Sequence, residues 1–237
     1  MSREILSLKQ AAEHVHLDEN ELKHVAQRGE IEATERGGDW YFEHRALDEW
    51  AQRQLLAANE KALAEQHRVM MDEHRREHRE GWCVADLFRA DSIDLDLPSK
   101  TKAGVVRDMT DLAVRSGLVY DTDGLFQELA DREEAAPTAI GEEVALLHPR
   151  YHDPYFFEES FVAYARSRRP IFFGAPDGGP TRHFFLICST DHELHLHILG
   201  RLAVLVHCTD LLEKLNEAAD ADGVIAAIRE SESPYVS

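Results

Sequence analysis

Fourteen histidines are scattered along this 237-residue chain, and two of them stand in segments whose residue types could do chemistry. His148 closes the run Thr138-Ala-Ile-Gly-Glu-Glu-Val-Ala-Leu-Leu-His148-Pro-Arg150, and His195 opens His195-Leu-His-Ile-Leu-Gly-Arg-Leu-Ala203. Neutral imidazole is a nitrogen nucleophile that is largely unprotonated at neutral pH, so it can accept a covalent group or orient one. A single histidine is more often structural or exposed, and three neighbouring patterns carry less. His74-Arg-Arg-Glu-His78 has the H-x-x-E-H spacing of a zinc helix, but no third ligand lies nearby in a charged, low-complexity stretch. A solvated linker is expected there. Asp191-His-Glu-Leu-His-Leu-His197 lacks the H-E-x-x-H spacing, and His192 and His197 are expected at the surface. Gly174, Gly178 and Gly179 fall in a run that ends in Pro180 without the Lys-Ser/Thr of a phosphate loop, so it reads as a turn.

The elements that must position these residues follow from periodicity and caps. Val84 to Phe88 reads as a short helix and Ile93-Asp-Leu-Asp-Leu97 as a strand. Lys102 to Ser116 places Val105, Val106, Met109, Leu112 and Ala113 on one helical face and stops at Gly117. Asp123 is expected to cap a helix containing Leu125, Leu129 and Arg132. The apolar runs Ile171-Phe-Phe173 and Phe184-Phe-Leu-Ile-Cys188 read as buried strands. Asp191 caps an apolar helix reaching about Val206, which is core and too short to span a bilayer. Helices mixed with short buried strands make residues 83–237 an α/β domain, a mixed sheet flanked by helices.

Upstream the pattern changes. Ser7-Leu-Lys-Gln10 and Asp18-Glu-Asn-Glu21 are capping boxes that start two short helices, roughly 8–15 and 19–28. The link His16-Leu17 is short enough for a helix-turn-helix. Ile31 to Thr34 and Asp39 to Phe42 flank Gly37-Gly38 as a hairpin, and Arg45 to Trp50 begins another helix. Residues 53–82 contain no proline and only Gly81, which predicts a long polar helical linker, able to pair with a second copy.

Charge divides along the same lines. The total is −19, with −6 in residues 1–50, zero in 51–82 and −13 in 83–237. Such acidity argues against a non-specific nucleic-acid coat and suits docking to a basic partner. Cys83, Cys188 and Cys208 are odd in number and far apart, which fits reduced thiols rather than a disulfide scaffold. With no hydrophobic stretch after Met1 and no apolar run of about 20 residues, a cytoplasmic protein without membrane insertion is expected.

Leu6, Ala11-Ala12, Val15, Leu17, Leu22, Gly29-Glu30-Ile31, Gly38, Trp40-Tyr-Phe42 and Leu47-Asp-Glu-Trp50 give residues 1–52 a resemblance to the excisionase-type winged helix-turn-helix, related to the mercury-resistance regulators. The resemblance implies DNA contact through the second helix, where Lys23, His24, Gln27 and Arg28 are the donors, and through Arg36 on the wing. Three carboxylates share that helix, at the end which normally meets base edges. Two readings therefore stand, DNA contact and a retained fold used for protein contacts.

Arg132-Glu133, Thr138, Ile140, Gly141, Ala145 and His148, followed by His195, Leu196, Leu199, Leu202 and Ala203, resemble the two motifs of enzyme IIA of the bacterial sugar phosphotransferase system, in its fructose/mannitol and nitrogen-regulatory class. Phe173-Gly-Ala-Pro-Asp-Gly178 fits the family's glycine-bearing strand region. The resemblance implies that His148 accepts a phosphoryl group from the histidine-containing phosphocarrier protein. His195 and Arg132 would donate to the phosphoryl oxygens, and Arg150 is a further candidate. No metal or cofactor is required. Ala139 and Glu143 replace glycines of the pattern, Glu142 a small or polar residue, and Leu147 a proline; the glutamates would repel a phosphoryl group if they faced it. The expected function is a phosphotransferase-type regulator that couples a phosphohistidine to a DNA-binding-like domain. A non-catalytic interaction module and a sugar-transport component are the alternatives.

Overall fold

The structure is a computed structural model that describes residues 5–15, 17–57, 83–149 and 156–236, excluding the side chains of 55–57, 192 and 193. The chain divides into two compact units, Met1–Ala58 and Asn59–Ser237.

In the first unit β1 (Ile5–Ser7) leads into α1 (Leu8–His14), α2 (Glu19–Gln27), the hairpin β2 (Ala33–Arg36) and β3 (Asp39–Glu43), and α3 (His44–Ala57). Ser7 and Gln10 form the expected reciprocal capping box. At α2 the Asp18 carboxylate instead accepts from the Asn20 amide at 2.8 Å, so it caps alone, without Glu21. Gly37 and Gly38 take φ of 65° and 94° at the hairpin turn, where two positive φ values suit glycine. β1 was not expected; it pairs antiparallel with β3 to complete the sheet order β1-β3-β2. Ala11, Leu22, Val25, Ile31, Phe42, Leu47 and Trp50 are its buried core. The expected linker, beyond Ala57, and its pairing with a second copy lie outside the described residues, as do His74 and His78.

The second unit is built on a mixed five-stranded sheet in the order β4-β7-β8-β6-β5, with β4 (Phe88–Leu97), β5 (Ala139–Gly141), β6 (Val144–Leu147), β7 (Phe161–Ile171) and β8 (Thr181–Cys188). β4 runs parallel to β7 and β6 parallel to β8, while β7–β8 and β5–β6 are antiparallel. Helices α4 (Lys102–Arg115) and α5 (Thr122–Ala135) share one face with Ala145, Leu147, Ala163, Phe184 and Leu186. α6 (His192–Cys208), α7 (Leu211–Glu217) and α8 (Ala221–Glu232) complete the unit. β6 and β8 are apolar on both faces, the composition of strands covered on either side.

Several expectations are corrected. The strand expected at Ile171–Phe173 lies upstream as β7, ending at Ile171. Phe172 is 78% exposed, and Phe173 leaves the sheet to pack edge-on against Phe184. Charge hid this strand, because Arg166 and Arg168 serve as ties. The Arg166 guanidinium donates to the carbonyls of Leu215, Asn216 and Ala218, and Arg168 pairs with Asp96. Asp121, not Asp123, caps α5, accepting from the Gly124 amide at 2.9 Å. His197 is buried at 2% exposure rather than at the surface, because α6 is apolar nearly all round and packs on every side.

A buried ion pair closes the second unit. Arg201 of α6 and Glu232 of α8 are both fully buried at 3.1 Å. The Glu232 carboxylate also accepts from the amides of Val84 and Ala85 and from the Cys83 thiol at 2.6 Å. Burial, with the glutamate beside it, pushes the Cys83 thiol up to about 11. α8 is thereby fastened to the first described residues of this unit.

Candidate functional site

Sheet register brings the expected chemistry together. β6 and β8 run parallel with Leu147 opposite Leu186, so the residues after both strands emerge at the same end of the sheet. His148 follows β6 directly, and Asp191 follows β8 to cap α6, its carboxylate accepting from the Leu194 amide at 2.8 Å. His195 thus sits in the first turn of α6. Because β5 is antiparallel to β6, the start of β5 lies at that end too, and the Leu146 amide donates to the Thr138 carbonyl at 3.0 Å. α5 therefore delivers its last turn, with Arg132, to the same place. Crevices beyond the carboxyl ends of parallel strands are the usual sites of α/β sheets.

The three residues meet with defined roles available to each atom. The ring centroids of His148 and His195 are 5.0 Å apart and tilted by 58°, and both side chains are fully buried. His148 Nδ1 is 2.9 Å from the Leu146 carbonyl oxygen. A carbonyl can only accept, so Nδ1 carries the proton and Nε2 presents the lone pair. That lone pair receives the Arg132 Nε–H at 3.2 Å, while Arg132 Nη1 donates to the Ala136 carbonyl at 2.7 Å. The arrangement is a nucleophilic nitrogen of fixed tautomer with a guanidinium already seated on it.

Glu133, beside Arg132 in sequence, faces elsewhere. Its buried carboxylate accepts from the Thr138 amide and, at 2.5 Å, from the Thr138 hydroxyl, and it pairs with Lys102 at 2.7 Å. Burial pushes this carboxyl above the usual range, against the opposing pull of Lys102 and Thr138. Thr138 and Glu133 are thus a brace that joins α5, β5 and α4, not reacting groups.

Glu142 and Glu143 do not face His148. They form the turn of the β5–β6 hairpin at φ of 51° and 61°, at the opposite end of β6. Four residues of strand put them roughly 13 Å from the site. There, with Asp177 and His183, they line a cavity of about 400 Å³. Behind it, the Tyr164 hydroxyl and His183 Nδ1 are 2.7 Å apart. Burial, helped by Arg182 and Arg166, pushes His183 down to about 4. Arg150 lies outside the described residues.

On the first unit, Lys23 is half-buried and His24, Gln27 and Arg28 are exposed along α2, with Arg36 exposed at the end of β2. Arg28 donates to Glu30 at 2.5 Å, so a phosphate would compete with a carboxylate for it. His14, His44 and Asp48 converge on this unit and were not singled out in the sequence, where thirty residues separate the two histidines. Among the described residues no helix is long and apolar enough to cross a membrane.

Residues 86–231 match the family model for the phosphoenolpyruvate-dependent sugar phosphotransferase system, EIIA 2, and residues 5–55 match a helix-turn-helix domain model. A fructose-specific EIIA component of Haloferax volcanii is 34% identical over 137 residues, 57% of this chain and 87% of that protein. A fructose-specific EIIABC component of Bacillus subtilis is 26% identical over 149 residues, 62% of this chain but only 23% of that much longer protein. The crystal structure of nitrogen regulatory protein IIA-Ntr from Neisseria meningitidis superposes with a TM-score of 0.55 at 25% identity, over 61% of this chain and 98% of that one.

Proposed function

The chain belongs to the phosphoenolpyruvate-dependent sugar phosphotransferase system EIIA 2 family, and on that premise we propose that it is a regulator phosphorylated on Nε2 of His148. The observation that carries the reading is the hydrogen bond from Nδ1 to the Leu146 carbonyl, which leaves Nε2 as the nucleophile. A phosphohistidine of the histidine-containing phosphocarrier protein would be the donor. Its N–P bond breaks as the Nε2–P bond forms in line, the donor imidazole keeps the electron pair, and the proton stays on Nδ1, donated to the Leu146 carbonyl throughout. No metal or cofactor is required for this step.

Arg132 occupies the approach to Nε2, so it swings aside and then donates to the phosphoryl oxygens. His195 flanks the same position from the first turn of α6, whose positive helix end favours the added negative charge. The first unit is the output, touching DNA phosphates through Lys23, Gln27, Arg28 and Arg36. Incubation with phosphoenolpyruvate and the two general phosphotransferase proteins is expected to give one acid-labile phosphoryl group per chain, absent in His148→Ala. Label that persists in His148→Ala overturns the assignment.

Complete burial of His148 supports a second reading, binding of the phosphocarrier without turnover. A stable complex with no label would select it. A sugar-transport role, passing the phosphoryl group on through a separate membrane subunit, would require label transfer to such a subunit.

A further inference from the structure

Two imidazoles and a carboxylate from distant parts of the sequence meet in the first unit, in a place the helix-turn-helix reading does not use. His14 is the last residue of α1, His44 the first of α3, and Asp48 stands one helical turn further along α3. His14 Nε2 is 2.7 Å from one oxygen of Asp48, and His44 Nδ1 is 3.3 Å from the other. The imidazole centroids are 4.3 Å apart, and one donor atom from each of the three residues lies within 4.8 Å of the others. The side chains are 20%, 31% and 15% exposed, so they are partly desolvated yet reachable from water.

We propose that His14, His44 and Asp48 bind one divalent transition-metal ion of the zinc class. Two imidazole nitrogens and one carboxylate oxygen suit zinc, cobalt or nickel, whereas calcium and magnesium take oxygen ligands. Bonds of about 2.1 Å in a tetrahedral shell place donors about 3.4 Å from one another, with water as the fourth ligand. The two close pairs, at 2.7 and 3.3 Å, run to different oxygens of Asp48, so a turn of the carboxylate and rings would bring one oxygen and both nitrogens, now within 4.8 Å of one another, onto one ion. The ion would tie the end of α1 to the start of α3 across α2 and the hairpin. It would set how α2 is presented, and it would add positive charge to a stretch that carries −6. Binding that requires the folded helices also stabilises them.

The test uses the full chain without an affinity tag, stripped by a chelator and titrated with Co²⁺, whose visible absorption reports ligation. One ion per chain is expected, displaced by Zn²⁺, and Zn²⁺ should raise the unfolding temperature of the first unit. His14→Ala and Asp48→Asn are each expected to weaken Co²⁺ binding by more than about 100-fold. His14→Gln keeps a hydrogen bond to Asp48, so it should fold like the parent chain while losing the metal. The double variant His74→Ala/His78→Ala should bind as the parent does. A Co²⁺ spectrum unchanged in His14→Gln, loss of binding only in the linker double variant, or no binding by the parent chain would each overturn the proposal. In the last case the cluster is a hydrogen-bonded tie between two helices.

Discussion

In the proposed phosphorylation, one backbone carbonyl sets which nitrogen of His148 attacks. Leu146 is the residue before last in β6, and its oxygen holds the Nδ1 proton and so selects the tautomer. Arg132 is the second determinant. Arg132→Met is expected to slow labelling of His148 by about 100-fold, since a positioned cation on a transferring phosphoryl group contributes that much. Its effect on folding should be about 1–3 kcal/mol, since the bonds to His148 and to the Ala136 carbonyl are both lost. An unchanged labelling rate would remove Arg132 from the phosphoryl side. His183 gives a pH prediction. It is pushed down to about 4 in the fold, whereas an unfolded histidine titrates near 6.5. Between these values the unfolded chain takes up a proton that the folded chain does not, so stability rises with pH across that window. The contribution is complete above about 6.5 and is lost as pH falls through about 4, about 3 kcal/mol in all. Urea midpoints of the parent chain and His183→Gln, measured between pH 4 and 6.5, should show the variant with the flatter slope. Parallel slopes would mean that His183 is already charged in the fold.

At the scale of elements, the β5–β6 hairpin and α5 act as one support for the site. The hairpin turn places Glu142 and Glu143 at positive φ, a conformation that costs a non-glycine residue about 1 kcal/mol. The strain lies at the end of β6 remote from His148, so a glutamate in place of glycine at position 143 does not bear on the His148 ring. The brace from Lys102 through Glu133 to Thr138 fixes where α5 ends and β5 begins. Lys102→Met leaves the buried Glu133 carboxylate without its cation and should destabilise the second unit by about 3 kcal/mol. In that variant the glutamate pKa rises further above its unfolded value. The loss is therefore deepest at high pH and shrinks as pH falls and the carboxyl takes up a proton. Thermal unfolding at pH 8 and pH 5 checks both parts, and an equal loss at the two values would show that the carboxylate finds another partner.

For the whole molecule, the proposed DNA contact must be reconciled with an acidic chain of net charge −19. Its N-terminal stretch offers three cations for phosphate contact, Lys23, Arg28 and Arg36, and Arg28 is shared with Glu30. Full use of the three would give log K against log salt a slope of about −2.7 per copy. A slope twice as steep would indicate that two copies bind together, and a flat dependence would turn the first unit over to protein contacts. At the other end of the chain, the Arg201–Glu232 pair joins α6, which carries His195, to residues 83–85, the first described residues of the second unit. One buried carboxylate therefore links the helix that carries His195 to residues 83–85.

Much of this was legible in order and none of it in distance. Caps at Ser7, Asp18 and Asp191, the apolar face of α4 and the runs of β8 and α6 follow from rules that act within a few residues, and there sequence and structure agree. The motifs around Arg132, His148 and His195 pointed to residues that do lie together. Local rules failed where an element's character came from its partners. β7 carries arginines because neighbouring helices and β4 answer them, and His197 is buried because α6 is packed on every side. Sequence alone determined which residues are candidates for the reaction and most of the elements that hold them. The tertiary structure decided the rest: that parallel β6 and β8 end side by side, which nitrogen of His148 carries the lone pair, that the glutamates are remote from it, and that His14 and His44 meet across thirty residues. Strand register and helix docking are non-local, and no spacing along the chain encodes them.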